Sequence, residues 1–151
     1  MPIRGNVETR LRRLDAGDFD AIILAAAGLD RIGIPVAHAA RLSFDLMLPA
    51  PAQGALAVQV REDDAPLRTA LARVDHRPTR IAVEAERMLL RRIGGGCLAP
   101  LGALGEVTGD RLRLRAAYET ADGTLLRAEA SGAADHAGDV VPAVADRIMA
   151  A

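Results

Sequence analysis

The clearest pattern of apolar and polar positions lies in the second half of the chain. Leu101 to Val107, Arg111 to Glu119 and Thr124 to Ser131 read as three strands. Between them stand Thr108-Gly109-Asp110 and Ala121-Asp122-Gly123, whose glycines and aspartates suit hairpin turns, so the segment predicts an antiparallel meander. Before it, Ile81, Ala82, Ala85, Met88 and Leu89 recur at helical spacing, which predicts an amphipathic helix over Thr79 to Arg92 ending in Gly94-Gly95-Gly96. After it, Val140, Val141, Val144 and Ile148 form one stripe of a helix over Asp139 to Met149, able to cover one face of the sheet. The second half is therefore expected to be an α+β unit.

The first half alternates helix and strand signals. Thr9 to Leu14 reads as a short arginine-rich helical segment, and Asp15 to Asp18 as a turn around Gly17. Ala21 to Ala25 reads as an apolar strand with isoleucines at its centre. Such a strand is normally covered on both faces, as in a parallel or mixed sheet flanked by helices. Few strands precede it, so the segment looks like half of an α/β domain. Leu48-Pro49-Ala50-Pro51-Ala52-Gln53-Gly54 is a proline-rich connector into a second expected strand, Ala55 to Val60. Asp63 or Asp64 can cap a helix reaching about Val74, and Asp75-His76-Arg77-Pro78 breaks it. The expected division is a partial α/β domain over 1–75 and an α+β domain over 76–151.

Composition narrows the chemistry. With 151 residues, half of them apolar, the chain can build a core, and its net charge of -1 with interspersed signs gives no basic field for nucleic acid. The longest apolar run, Ala21 to Leu29, is too short to span a bilayer, and the N-terminus carries no signal-peptide pattern; the cytoplasm is the expected location. One cysteine cannot form an internal disulfide. With three separated histidines, His38, His76 and His136, it offers no metal-ligand spacing, and no metal is expected.

Cys97 is the residue that stands out, directly behind three glycines that let the backbone turn sharply and leave the next side chain approachable. A small buried thiol is the competing reading. Arg4-Gly5-Asn6-Val7 and Thr9-Arg10 place two guanidinium groups near the start of a helix, and Arg31 follows the apolar strand. The planar guanidinium fork matches a carboxylate, although a solvated helix face accounts for such arginines equally simply. Gln53-Gly54 offers a donor and an acceptor beside a close-approach glycine, or simple turn chemistry. Asp63, Asp64, Glu84 and Glu86 fit helix caps or an exposed helix face and receive no catalytic role. A cysteine-nucleophile hydrolase lacks a neighbouring histidine motif.

Taken in order, these segments resemble the porphobilinogen deaminase (hydroxymethylbilane synthase) family. The resemblance rests on Arg4-Gly5-Asn6-Val7 with Thr9-Arg10-Leu11, Leu14 through Ala25, Ala27-Gly28-Leu29-Asp30-Arg31-Ile32-Gly33, Leu48 through Ala55, Glu84-Ala85-Glu86-Arg87, Gly95-Gly96-Cys97 and Pro100-Leu101-Gly102. It covers essentially the whole chain. It implies a transferase of haem and related tetrapyrrole biosynthesis, which joins four porphobilinogen molecules head to tail with release of ammonia. Its primer is a dipyrromethane attached through a thioether, and the resemblance makes Cys97 the attachment point. A soft thiolate is a good nucleophile for the methylene-pyrrole electrophile left by deamination. By the same resemblance Arg4, Arg10 and Arg31 bind carboxylates of cofactor and substrate, with Gly5 and Ala25 beside them and Gln53 near the incoming pyrrole. Porphobilinogen and oligopyrrole intermediates are the expected partners.

The implied fold is an incomplete periplasmic-binding-protein-like α/β domain followed by a small C-terminal domain with a three-stranded antiparallel sheet and helices. The family's catalytic aspartate belongs to an N-terminal domain that has no counterpart in these motifs, so no acid catalyst is assigned. The full-length family is monomeric. This chain alone is expected to be inactive, and its unpaired strand edges to favour aggregation or a partner that supplies the missing half. The rival expectation is a non-catalytic module that binds protein or tetrapyrrole.

Overall fold

A computed structural model describes residues 3–33 and 39–150 of the chain. The chain divides into two compact units, Met1–Leu42 and Ser43–Ala151. His38 lies outside the described residues.

In the first unit Asn6 caps helix α1, Val7–Asp15, by accepting a 2.9 Å hydrogen bond from the Thr9 backbone N–H. Arg13 and Asp18 pair across the turn that follows, and the Arg13 guanidinium stacks 4.8 Å from the Phe19 ring centre. Helix α2, Ala26–Ile32, ends at Gly33, whose positive φ of 64° closes the last turn. The Gly28 backbone in α2 passes close to the Val7 side chain, so the first turns of the two helices adjoin. The expected strand Ala21–Ala25 is not one: the segment pairs with nothing among the described residues, and Ile23 is exposed. A strand is defined by its neighbour's hydrogen bonds, and apolar composition alone cannot supply them. Arg31 consequently sits in the last turn of α2, not beside a sheet. No residue of this unit is buried among those described.

The second unit carries the core. Asp64 caps helix α3, Ala65–Leu71, through the Leu67 N–H, and a short 3-10 turn extends it to Val74. Helix α4, Arg77–Ile93, begins with Pro78 in its first turn, where the missing N–H costs nothing. Strands β1 (Leu101–Thr108), β2 (Arg111–Glu119) and β3 (Leu125–Ala133) form the meander in the order β1-β2-β3, with Ala103 opposite Ala116 and Leu114 opposite Ala130. Helix α5, Ala137–Met149, closes the unit. Helices α4 and α5 lie side by side on one face of the sheet, α4 over β1 and α5 over β3. Leu89, Leu112, Leu114 and Val144 are wholly buried between the layers, as the two stripes and the strand alternation require.

The other face of the sheet is a charged ladder. Arg113 pairs with Glu129, and Arg115 bridges Glu106 and Asp45. The expected strand Ala55–Val60 has no sheet partner among the described residues and leaves Leu56 and Val58 exposed, for the same reason as Ala21–Ala25.

Candidate functional site

The sequence places its candidate residues in both units. In the first, Gly5 has a positive φ of 112°, and an added Cβ would approach Thr9 to 3.0 Å, so glycine suits this entry into α1. The Arg10 Nε donates a 2.8 Å hydrogen bond back to the Gly5 carbonyl. This bond holds the Arg10 stem and leaves the terminal nitrogens of its fork for another acceptor. Arg4 is exposed just before the cap, Ala25 is the N-cap of α2, and Arg31 is exposed at its far end. Arg10 and Gly5 are thus joined directly. The adjoining first turns of α1 and α2 bring Ala25 to the same end of the unit, whereas Arg31 stands a helix length away.

In the second unit the backbone of Gly94, Gly95 and Gly96 has positive φ at every residue, 87°, 84° and 59°. Three successive left-handed residues explain the glycine run directly: side chains there would strain the backbone even though the space around Gly94 and Gly96 is open. Gly95 is also closely approached, since an added Cβ would lie 3.1 Å from the Ala99 Cβ. The Cys97 backbone lies in the 3-10 turn Gly96–Leu98 that leads into β1. Its side chain lies outside what the structure describes.

Gln53 closes the connector. The turn Ala50-Pro51-Ala52-Gln53 carries a 3.0 Å hydrogen bond from the Gln53 N–H to the Ala50 carbonyl, and the Gln53 Oε1 accepts from the Ala50 N–H at 3.3 Å. Proline in second place and a positive φ of 64° at Ala52 make it a type II turn, whose third position normally belongs to glycine. An alanine held there costs roughly 1–2 kcal/mol. The Gln53 carbonyl is partly used by the turn, while its amide N–H groups face solvent on an exposed residue.

Glu86 corrects an expectation. Among the residues assigned to caps or exposed helix faces, Asp64 and Glu84 behave so, but Glu86 is 5% exposed. Its Oε2 accepts from the Ala52 N–H at 2.6 Å and its Oε1 from the Gly105 N–H at 2.7 Å. One carboxylate thereby binds the connector turn to the open edge of β1. The Ala103 N–H donates to the Pro49 carbonyl at 2.8 Å on the same edge, and Leu48 is buried against Gly102. Close approach is built in, because a Cβ at Gly105 would lie 2.9 Å from the Ala82 Cα. The sequence holds the signal: Glu86 stands four residues after Ala82 and three before Leu89, on the apolar stripe of α4.

A concavity of about 320 Å³ on the charged face of the sheet is lined by Phe44, Asp45, Arg113, Arg115, Arg127 and Glu129. Its guanidinium groups are engaged by the ion pairs above and by the Leu46 carbonyl, which binds Arg127, while the buried Arg115 Nε has no hydrogen-bond partner among the described residues. Among the described residues no group of acidic, histidine or cysteine side chains could hold a metal ion, and no helix is long and apolar enough to cross a membrane.

Comparison with known proteins accounts for both units. Residues 1–69 match the model for "Porphobilinogen deaminase, dipyromethane cofactor binding domain", and residues 80–150 match that for "Porphobilinogen deaminase, C-terminal domain". The arginine candidates and Gln53 fall within the first match and Cys97 within the second. Curated relatives named porphobilinogen deaminase include that of Desulforudis audaxviator, 48% identical over 150 residues, which is 99% of this chain and 48% of the relative. That of Roseiflexus sp. is 44% identical over 147 residues, covering 97% of this chain and 48% of the relative. That of Chromobacterium violaceum is 45% identical over 149 residues, with 98% and 48% covered. The chain spans about half the length of these relatives. With two models of one family matched in succession over 1–69 and 80–150, and relatives of that name over nearly all of its length, the chain belongs to the porphobilinogen deaminase family.

Proposed function

We propose that this chain supplies the cofactor-carrying and carboxylate-binding parts of a porphobilinogen deaminase, the transferase that joins four porphobilinogens with loss of ammonia to give hydroxymethylbilane. The observation that carries the reading is the continuity of the family match across both the arginine segment and the glycine–cysteine loop. Dipyrromethane is the cofactor and Cys97 its attachment residue; when bound, the group supplies the pyrrole end to which the next porphobilinogen is added.

The residues present suit such a group. Three glycines in left-handed conformation deliver residue 97 on a loop with open space around Gly94 and Gly96. Every pyrrole of the growing chain brings two carboxylates, and a guanidinium held by its Nε, as Arg10 is on Gly5, keeps a planar pair of N–H groups pointed at such an anion. Arg4 and Arg31 add charge without competing ion pairs of their own among the described residues. Gln53 presents amide donors to the incoming pyrrole's carboxylate. We assign residues 1–75, which take in the first unit and the opening of the second, to a partial periplasmic-binding-protein-like α/β domain and place the α+β domain over 76–151, in a cytoplasmic enzyme.

The reading is tested by titrating the chain with porphobilinogen, alongside Arg10→Leu and Arg31→Leu. Each substitution is expected to weaken binding about tenfold or more, the worth of a charge-assisted hydrogen bond. Unchanged affinity in both would overturn the carboxylate assignment.

A further inference from the structure

The geometry points to Glu86 as the positioning residue of the Ala50–Gln53 turn: its buried carboxylate sets where the Gln53 amide is presented. The inference rests on the reading that Gln53 meets substrate, but its physical basis is independent of that reading. Ala52 holds a left-handed conformation that alanine disfavours, and the turn's own hydrogen bond between Gln53 and Ala50 is common to turns that do not require it. What the surroundings add is the 2.6 Å bond from the Ala52 N–H to the Glu86 Oε2. A conformation of this kind persists only where neighbouring groups over-determine it.

The anchor is rigid at its other end. Glu86 projects from the middle of α4 between wholly buried Ala85 and Leu89, and its second oxygen is taken by the Gly105 N–H on β1. Each oxygen thus has one backbone donor, 19 residues away at Gly105 and 34 at Ala52. Ala52 immediately precedes Gln53, so a change in its φ swings the following side chain. Glu86 touches no reacting atom in this account; it acts through the turn.

The experiment is amide hydrogen exchange with ¹⁵N correlation spectra on the whole chain, comparing the parent with Glu86→Met, Glu86→Gln, Ala52→Gly and the double variant Glu86→Met/Ala52→Gly. Asn6, Gln53 and Gln59 are the chain's only side-chain amides, so the Gln53 signal is readily assigned. Glu86→Met keeps the volume and removes both acceptors, and exchange at Ala52 and Gly105 is expected to rise roughly tenfold or more while the Gln53 signal shifts. Glu86→Gln retains one acceptor and is expected to protect one of the two amides. In the double variant glycine accepts the left-handed conformation unaided, and the Gln53 signal is expected to return toward its position in Ala52→Gly alone. A purely structural part for Glu86 would be indifferent to residue 52, so a failure to return overturns the proposal. So does parental exchange at Ala52 in a folded Glu86→Met chain. Porphobilinogen added to the parent separates the two readings: if Gln53 ignores it while Ala52 responds to Glu86 as stated, the positioning stands and the substrate role of Gln53 falls.

Discussion

The two units spend their apolar residues differently. The second, from Ser43 onward, closes two helices over a three-stranded sheet and hides Leu89, Leu112, Leu114 and Val144 completely. The first carries an equally apolar run at Ala21–Ala25 and buries none of its described residues. Apolar content is therefore not what separates them. From Arg77 onward the second unit holds, within its own sequence, the partners that its strands and stripes need, whereas the first has helices that local caps can form and, like Ala55–Val60 earlier in the second unit, a strand-like run whose partners are missing among the described residues. The arginine candidates lie in the unit without a core, and the glycine–cysteine loop in the unit with one.

The contrast is broken most forcefully at Leu114. Leu114→Ala removes a wholly buried side chain from the middle strand and is expected to cost about 2–5 kcal/mol, read by denaturant unfolding. Exchange protection should fall throughout β1, β2, β3, α4 and α5 and stay unchanged over 7–15; a parallel loss in α1 would mean that the units share one cooperative transition. Next in size is Gly105→Ala, whose Cβ would press on the Ala82 backbone at 2.9 Å, for an expected loss of about 1–3 kcal/mol. The same substitution at open Gly109 tests position rather than packing, because only its φ of 60° resists a side chain there.

A smaller effect belongs to the first unit. Asn6→Ala removes the α1 cap and is expected to weaken that helix by about 1 kcal/mol, seen as faster exchange at Thr9 with the melting of the second unit unmoved. The smallest concerns the β2–β3 turn, where the Thr120 hydroxyl and the Thr124 N–H hold the Asp122 carboxyl below the ordinary aspartate range. A depressed carboxylate contributes above its unfolded pKa and loses that contribution as pH falls through the folded one. Protection of the Thr124 amide, taken relative to the free-peptide exchange rate at the same pH, should therefore fall only on acidification below the ordinary aspartate range, and a turn indifferent to acid would refute the assignment.

These differences explain what the sequence could and could not reveal. The meander, α4 and α5 were legible because their patterns are satisfied by each other: Val140, Val141, Val144 and Ile148 face the strands whose alternation predicted an apolar side. Ala21–Ala25 and Ala55–Val60 were misread because a strand depends on a neighbour that local pattern does not contain. Glu86 was misread by residue type, since a glutamate on a helix is ordinarily solvated; its place on the apolar stripe was the countervailing sign. The left-handed Ala52 had no sequence signal, as such a position ordinarily belongs to glycine or asparagine. The glycine run before Cys97 was legible in kind, because three adjacent positive φ values admit little else.

The central claim is that Cys97 carries the dipyrromethane of a porphobilinogen deaminase, and intact-mass spectrometry tests it most directly. The chain and its Cys97→Ser variant, expressed in a cell that makes hydroxymethylbilane, are weighed after purification. The account predicts a mass above the 15.9 kDa of the polypeptide by two linked pyrrole units, absent from the serine variant. A bare polypeptide mass in both, or an adduct that survives Cys97→Ser, would contradict it.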